Sequence, residues 1–260
     1  MDKRELLDRM AVTGDERLLL GRIWDKWEQC RRRNMPAVTG FLTPQEQSLA
    51  RRLLHVMGVQ SGFLFWGGYD GAERCQLHFL PDWQEEAEDT VCLLRCRFYE
   101  EGALTHRDFL GSLMGLGLTR EKIGDILVTD QSADILVSDS VSEFLLTQWN
   151  AAGHTKIKVT QQDLHSLHIP QQQTKEIHDT VPSLRLDCIV ATGFSASRVK
   201  AAEAIAAGRV QVNWITCLKS DAPVSEGDVL SVRGLGKCCL ESVGNYTKKG
   251  RVFVTLQRYI

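Results

Sequence analysis

Arg198, Lys200 and Arg209 bracket an alanine-rich stretch, Val199 to Ala206, that reads as one short, strong helix. Cations gathered around such a helix form a cradle for phosphate oxygens, where the chemistry is charge-assisted hydrogen bonding and no bond is made or broken. The charge balance points the same way. Arg185 to Ile260 holds 11 Lys/Arg against 6 Asp/Glu, whereas the preceding residues hold 20 against 27, so a basic C-terminal third (+5) follows an acidic body (−7). Charge alone leaves a polyanion partner and an ordinary basic surface equally open.

Other reactive-looking groups lack the partners their chemistry needs. His106-Arg107-Asp108 resembles a kinase catalytic loop, but Leu113 stands where a magnesium-binding Asn is required, and no glycine-rich phosphate loop precedes it. His165 and His168 sit in a polar stretch with no third placed ligand, and Cys92/Cys96 and Cys238-Cys239 do not form the paired spacing of a zinc site. Gly115 to Gly117 and Gly234 to Gly236 are not set in a strand–GxGxxG–helix unit. The reading is therefore no catalytic residue, no metal and no cofactor, with all eight cysteines free.

A chain of 260 residues, 25% charged and 43% hydrophobic, has enough material for two or three globular domains and is not a disordered tail. No run approaches a membrane span, and the start Met1-Asp2-Lys3-Arg4-Glu5 lacks an export signal's apolar segment, so the expected location is cytoplasmic. Residues 1–58 read as a helical region, with Arg31-Arg32-Arg33 stopping one helix and Thr43-Pro44 starting another. Residues 59–162 read as a compact α+β, split-βαβ middle domain in which strands from Ser61 onward share one sheet. Residues 163–184 read as a connector, with Thr174 to His178 a candidate strand inside it. Residues 185–260 form a small domain of two helices on a β-sheet. In it Ser195 is the expected N-cap of the second helix, Gly208 ends that helix, and a turn follows over Asn213.

Arg185-Leu186-Asp187, Ser195-Ala196-Ser197-Arg198, Gly208-Arg209-Val210-Gln211-Val212-Asn213 and the turn Glu226-Gly227-Asp228 resemble the S-four-type RNA-binding domain. More widely the chain resembles the YlmH family. The marks are Pro36 to Phe41 with Thr43-Pro44, Gly67-Gly68-Tyr69, His106 to Gly111, Leu116 to Arg120, Gly124-Asp125-Ile126 and Arg233-Gly234. The resemblance implies an RRM-like middle domain and a monomeric factor that binds structured RNA. The expected partners are rRNA with tRNA as a further one, on the large ribosomal subunit, in rescue of stalled complexes that hold peptidyl-tRNA. The implied RNA-binding set is Arg185, Ser195, Arg198, Lys200, Arg209, Asn213, Arg233, Lys237, Lys248, Lys249 and Arg251.

Two departures stand out. Trp214 follows Asn213 where many such modules carry Gly, so the turn is expected to be reshaped, with Trp214 expected in the core ahead of stacking on a base. The middle domain lacks the aromatic RNA-binding strand of an RRM, and Glu85-Glu86-Ala87-Glu88-Asp89 would repel phosphate. Two other function classes stay open: a pseudouridine-synthase-like RNA-modifying enzyme, for which Asp108 and Asp125 are the aspartates to test, and a protein-binding adaptor acting through the acidic middle domain.

Overall fold

The computed structural model describes residues 2–99, 104–170 and 174–260 of an α+β protein made of two compact units, Met1–Pro170 and Gln171–Ile260. Unit 1 opens with α1 (Lys3–Met10), α2 (Gly14–Arg33), β1 (Ala37–Leu42) and α3 (Pro44–Val56). A capping box starts α2: Thr13 Oγ1 accepts from the Glu16 N–H at 3.2 Å while the Glu16 carboxylate accepts from the Thr13 N–H at 3.3 Å. The helix stops at Asn34 (φ 50°), with Arg31, Arg32 and Arg33 on the negative end of its dipole. Thr43 and Glu46 repeat the box on α3, with Pro44 at the first helical position. Strands β2 (Phe63–Trp66) and β3 (Cys75–Phe79) join β1 in an antiparallel sheet of order β1-β3-β2. Leu20, Ile23, Leu53 and Leu54 of the helices bury against Leu77 and Phe79 of β3.

The second sheet of unit 1 comes from β4 (Val91–Arg97), α4 (His106–Gly115), β5 (Ile123–Val128), β6 (Ser132–Ser138), α5 (Asp139–Gln148) and β9 (Lys158–Gln162), with a two-residue hairpin, β7 (Ala151–Ala152) and β8 (Thr155–Lys156), before β9. Its antiparallel order β5-β6-β4-β9 is the split-βαβ arrangement. Phe109, Leu113, Leu145 and Trp149 from α4 and the α5 end cover one face, against Leu94, Cys96, Ile135 and Val137.

The sequence predicts one interleaved sheet for the middle domain, whereas the described residues of unit 1 divide its strands between a three-stranded sheet, a four-stranded sheet and the β7-β8 hairpin. β3 is buried at every position because the helices cover Leu77 and Phe79 while Gln76 faces the second sheet, donating to Ser138 Oγ at 3.1 Å. β1 falls inside the expected helical region, so residues 1–58 and the first two strands of the expected middle domain fold as one layer. The expected connector is also divided. Leu164 and Leu167 pack on unit 1, whereas Thr174–Val181 is strand β10 of unit 2; Gln171 to Gln173 lie outside the described residues.

Unit 2 contains β10 (Thr174–Val181), α6 (Leu186–Gly193), α7 (Arg198–Ala206), β11 (Val210–Val212), β12 (Ile215–Thr216), β13 (Val229–Val232), β14 (Gly236–Tyr246) and β15 (Val252–Tyr259). Its antiparallel sheet has the order β10-β15-β14-β13-β11-β12. Leu186, Ile189 and Val190 of α6 and Ile205 of α7 bury against Val210, Leu230, Cys238 and Leu256. Gly193 permits that approach: a Cβ there would stand 2.8 Å from Cys238 Sγ.

The N-cap of α7 is Ser197, whose Oγ accepts from the Lys200 N–H at 3.2 Å, and not Ser195 as the sequence predicts. Ser195 belongs to the end of α6. Its left-handed backbone (φ 52°) lets its N–H reach Thr192 O at 3.3 Å and the Ala196 N–H reach Ala191 O at 2.9 Å, the paired bonds of a Schellman closure. Gly208 (φ 68°) closes α7 in the same way, with the Arg209 N–H on Ala204 O at 3.0 Å.

Candidate nucleic-acid interface

Asp187 organises the start of the interface in unit 2. Its side chain is only 8% exposed and accepts from Arg198 Nη2 at 2.7 Å and from Arg185 Nε at 3.2 Å. Burial pushes its carboxyl up, but the hydrogen bonds from Arg198 and Arg185 outweigh that and hold it below the usual carboxylate range. Both guanidiniums are thereby fixed in place yet remain about half exposed, at 43% for Arg185 and 56% for Arg198. The pairing costs them part of their field, since one carboxylate faces two cations. Sequence reasoning placed the arginines but missed this anion; its only signal is the Arg-Leu-Asp spacing.

The remaining cations do not form one cradle. Lys200 and Arg209 are both exposed, but Lys200 sits in the first turn of α7 and Arg209 lies past its far end, with about 9 Å of helix axis between Lys200 and Ala206. Arg209 instead meets Arg233, whose N–H donates to Arg209 O at 2.9 Å beyond the paired Val210 and Val232. Gly234 (φ 86°) and Gly236 (φ 98°) then turn the chain so that Lys237, half-buried, pairs in register with Ser231. Lys248, Lys249 and Arg251 lie at the other end of β14, about 30 Å away by strand rise. Arg251 is tied to β10 by its Nε on Thr180 Oγ1 at 2.9 Å and its Nη2 on Thr180 O.

Asn213 turns inward. Its Nδ2 donates to Asp228 Oδ1 at 2.7 Å and its Oδ1 accepts from the Val229 N–H at 2.9 Å, so it pins the β11–β12 turn to the start of β13. Asn213 (φ 48°) and Trp214 (φ 63°) are both left-handed, the pattern of a two-residue hairpin turn whose second place suits Gly. The expected core position for Trp214 is not what forms. The residue is half-exposed and outside the cluster that buries α6, at the second place of the two-residue turn between β11 and β12.

In unit 1 the sheet face that an RRM leaves open to bases is covered. Phe41, Trp66, Tyr69, Leu164 and Leu167 pack over Val91, Leu93 and Leu136. Next to them Arg95 Nε and Nη2 donate to the two oxygens of Asp134 at 2.7 Å each, and Ser166 O and the His168 N–H complete the pair at 2.6 Å and 2.8 Å. Gly124 makes room for this packing, since a Cβ there would stand 2.7 Å from the Phe41 ring. The two aspartates considered for RNA modification hold the fold together. Asp125 accepts from Tyr69 Oη at 2.9 Å and from the Glu73 and Arg74 N–H groups at 2.7 Å and 3.0 Å. Asp108 accepts from Thr105 N–H at 2.8 Å and Thr105 Oγ1 at 2.7 Å, at the start of α4.

Comparison with known proteins follows this division. Residues 91–166 match the family described as "Putative RNA-binding domain in YlmH", and residues 184–230 match the S4 domain. Over 224 residues the chain is 34% identical to "Ribosome-associated protein quality control protein P2" of Bacillus subtilis (strain 168), spanning 85% of this chain and 86% of that one. The solved structure "Cell division protein ylmH from Streptococcus pneumoniae" aligns with a TM-score of 0.49 at 15% identity, over 58% of this chain and 93% of that chain. With the 34% identity sustained along most of both sequences, the chain belongs to the YlmH family.

Proposed function

We propose that this protein binds structured ribosomal RNA through unit 2, docks on large subunits that still hold peptidyl-tRNA after stalling, and serves quality control by binding and positioning without catalysing a reaction. The observation that carries this reading is the likeness, over most of both chains, to a protein named for ribosome-associated quality control. The exposed cations of the S4-matched unit support it. Lys200, Arg209 and Arg233 are the leading phosphate contacts, with Arg185 and Arg198 held ready by Asp187 and Lys237 beside them. Such exposed cations suit the phosphate backbone of an A-form helix, whose deep groove hides its bases. Lys248 and Lys249 serve a separate, distant contact, while Ser195, Asn213 and Arg251 shape the backbone.

The test is sedimentation of lysate through sucrose gradients at low and high salt, with Lys200→Glu/Arg209→Glu alongside the parent. These two side chains are exposed and make no ion pair among the described residues, so their reversal probes RNA binding without disturbing the Asp187 cluster. The parent is expected to travel with the large subunit, more weakly at high salt, and the variant to stay at the top. The slope of log K against log salt should fall by about 0.7–0.9 for every phosphate the variant no longer engages. Migration of the parent at the top of the gradient under every condition would reject the proposal.

A further inference from the structure

The register of the second sheet of unit 1 stacks three layers on the face away from α4 and α5. Leu93 and Leu136 form the first, sealed beneath Phe41 and its neighbours. Arg95 and Asp134, flanked by Thr160, form the second, with their side chains 8% and 1% exposed. Arg97 forms the third, directly between Ser132 of β6 and Lys158 of β9, and there the cover ends. Arg97 and Lys158 are exposed, and neither has a carboxylate within 4.0 Å among the described residues. Around them opens a pocket of about 420 Å³ whose wall includes Gln131, His168 and Tyr99, the last 95% exposed. Asp134 beneath it is already neutralised by Arg95.

We infer that this open end of the sheet is a second RNA site, which takes a nucleotide of single-stranded RNA with its phosphate between Arg97 and Lys158 and its base against Tyr99. The inference rests on the RNA-binding reading of the protein but concerns a different unit and a different form of RNA. Two cations one strand apart, neither held by a carboxylate among the described residues, match a phosphodiester, and an exposed ring at the rim supplies the face on which a base stacks without regard to sequence. A duplex cannot use such a site, because its bases are already stacked on each other. The covered layers explain why the middle domain lacks the usual aromatic RNA-binding strand: the central face holds Phe41 and Leu164 where an RRM holds bases.

The test measures binding of the full chain to a short fluorescent single-stranded RNA and to an RNA hairpin duplex, by anisotropy. Tyr99→Ala and Arg97→Ser/Lys158→Ser change exposed side chains only. Each is expected to weaken single-strand binding roughly tenfold, the scale of one base stacked on one ring, and to leave duplex binding unchanged. Lys200→Glu/Arg209→Glu is expected to do the reverse. If both unit 1 variants bind the single strand as the parent does, the site is overturned while the duplex result still judges unit 2 separately. Displacement of the single strand by an equimolar mononucleotide would also overturn it, since the pocket would then serve a free nucleotide.

Discussion

The arginines of the two units meet opposite fates. In unit 1, Arg74 and Arg95 are each 7% exposed. Arg74 donates to the carbonyls of Ile123, Phe41 and Arg120 at 2.9–3.1 Å, and burial, with Arg120 nearby, lowers it to about 10. Arg95 is closed onto Asp134. Arg74 thereby joins the two sheets of an acidic unit, and Arg95 ties β4 to β6 and to the segment after β9. In unit 2, Lys200, Arg209 and Arg233 stay at the surface, and the buried carboxylate of Asp187 steadies two further arginines without covering them. The contrast teaches that a cation becomes available to phosphate only where packing leaves it out, so net charge per segment says less than the burial of each member.

The strongest way to break this contrast is to remove a cation from each side. Arg95→Met leaves Asp134 buried and unpaired, and urea unfolding should show a loss of about 3–5 kcal/mol. Arg209→Met should stay within about 0.5 kcal/mol of the parent while RNA affinity falls. Equal stability losses from both would erase the distinction between structural and binding cations. A middle-sized effect sharpens it at Asp187. Asp187→Asn should cost about 1 kcal/mol at neutral pH, small because its partners are half-exposed. Since the folded carboxyl lies below its unfolded value of about 3.9, its contribution is present above that pH and lost as pH falls through the folded value. The parent and Asp187→Asn stability curves should therefore converge on acidification, and a gap that does not narrow as the pH falls would show that Asp187 acts by shape and not by charge. The smallest effect is a gain: Trp214→Gly relieves a left-handed tryptophan and should raise stability by about 1 kcal/mol. No gain in thermal midpoint would mean that packing of the indole offsets the strain.

Local punctuation was legible in the sequence. Thr43-Pro44, Arg31-Arg32-Arg33 and Gly208 mark helix ends because each acts on backbone groups within a few residues. Ser195 and Ser197 show the limit of such signals. Both suit a cap, and the choice was made by the closing bonds of α6, which take Ser195 first. β1 was hidden because Ala37–Leu42 is covered on both sides and shows no alternation of apolar and polar residues. The cations of the candidate interface were each visible, but their grouping was not. Arg198 is joined to Arg185 through Asp187, Arg251 is anchored 71 residues back at Thr180, and Lys248 and Lys249 are carried off along the whole of β14. The cover over the middle sheet was unreadable for the same reason, as Phe41 and Leu164 come from either side of the segment they protect.

Strand β10 has a consequence for the protein in a crowded solution. It is an outer strand of its sheet, paired along its whole length with β15 on one side only, and an edge of this kind can accept a strand from a neighbour; at Thr180 the backbone is already tied to Asp179 and Arg251. Lys175, Glu176 and Asp179 stand along it, and the opposite border, β12, is two residues long. Charge at one rim and brevity at the other make strand addition at either edge unfavourable.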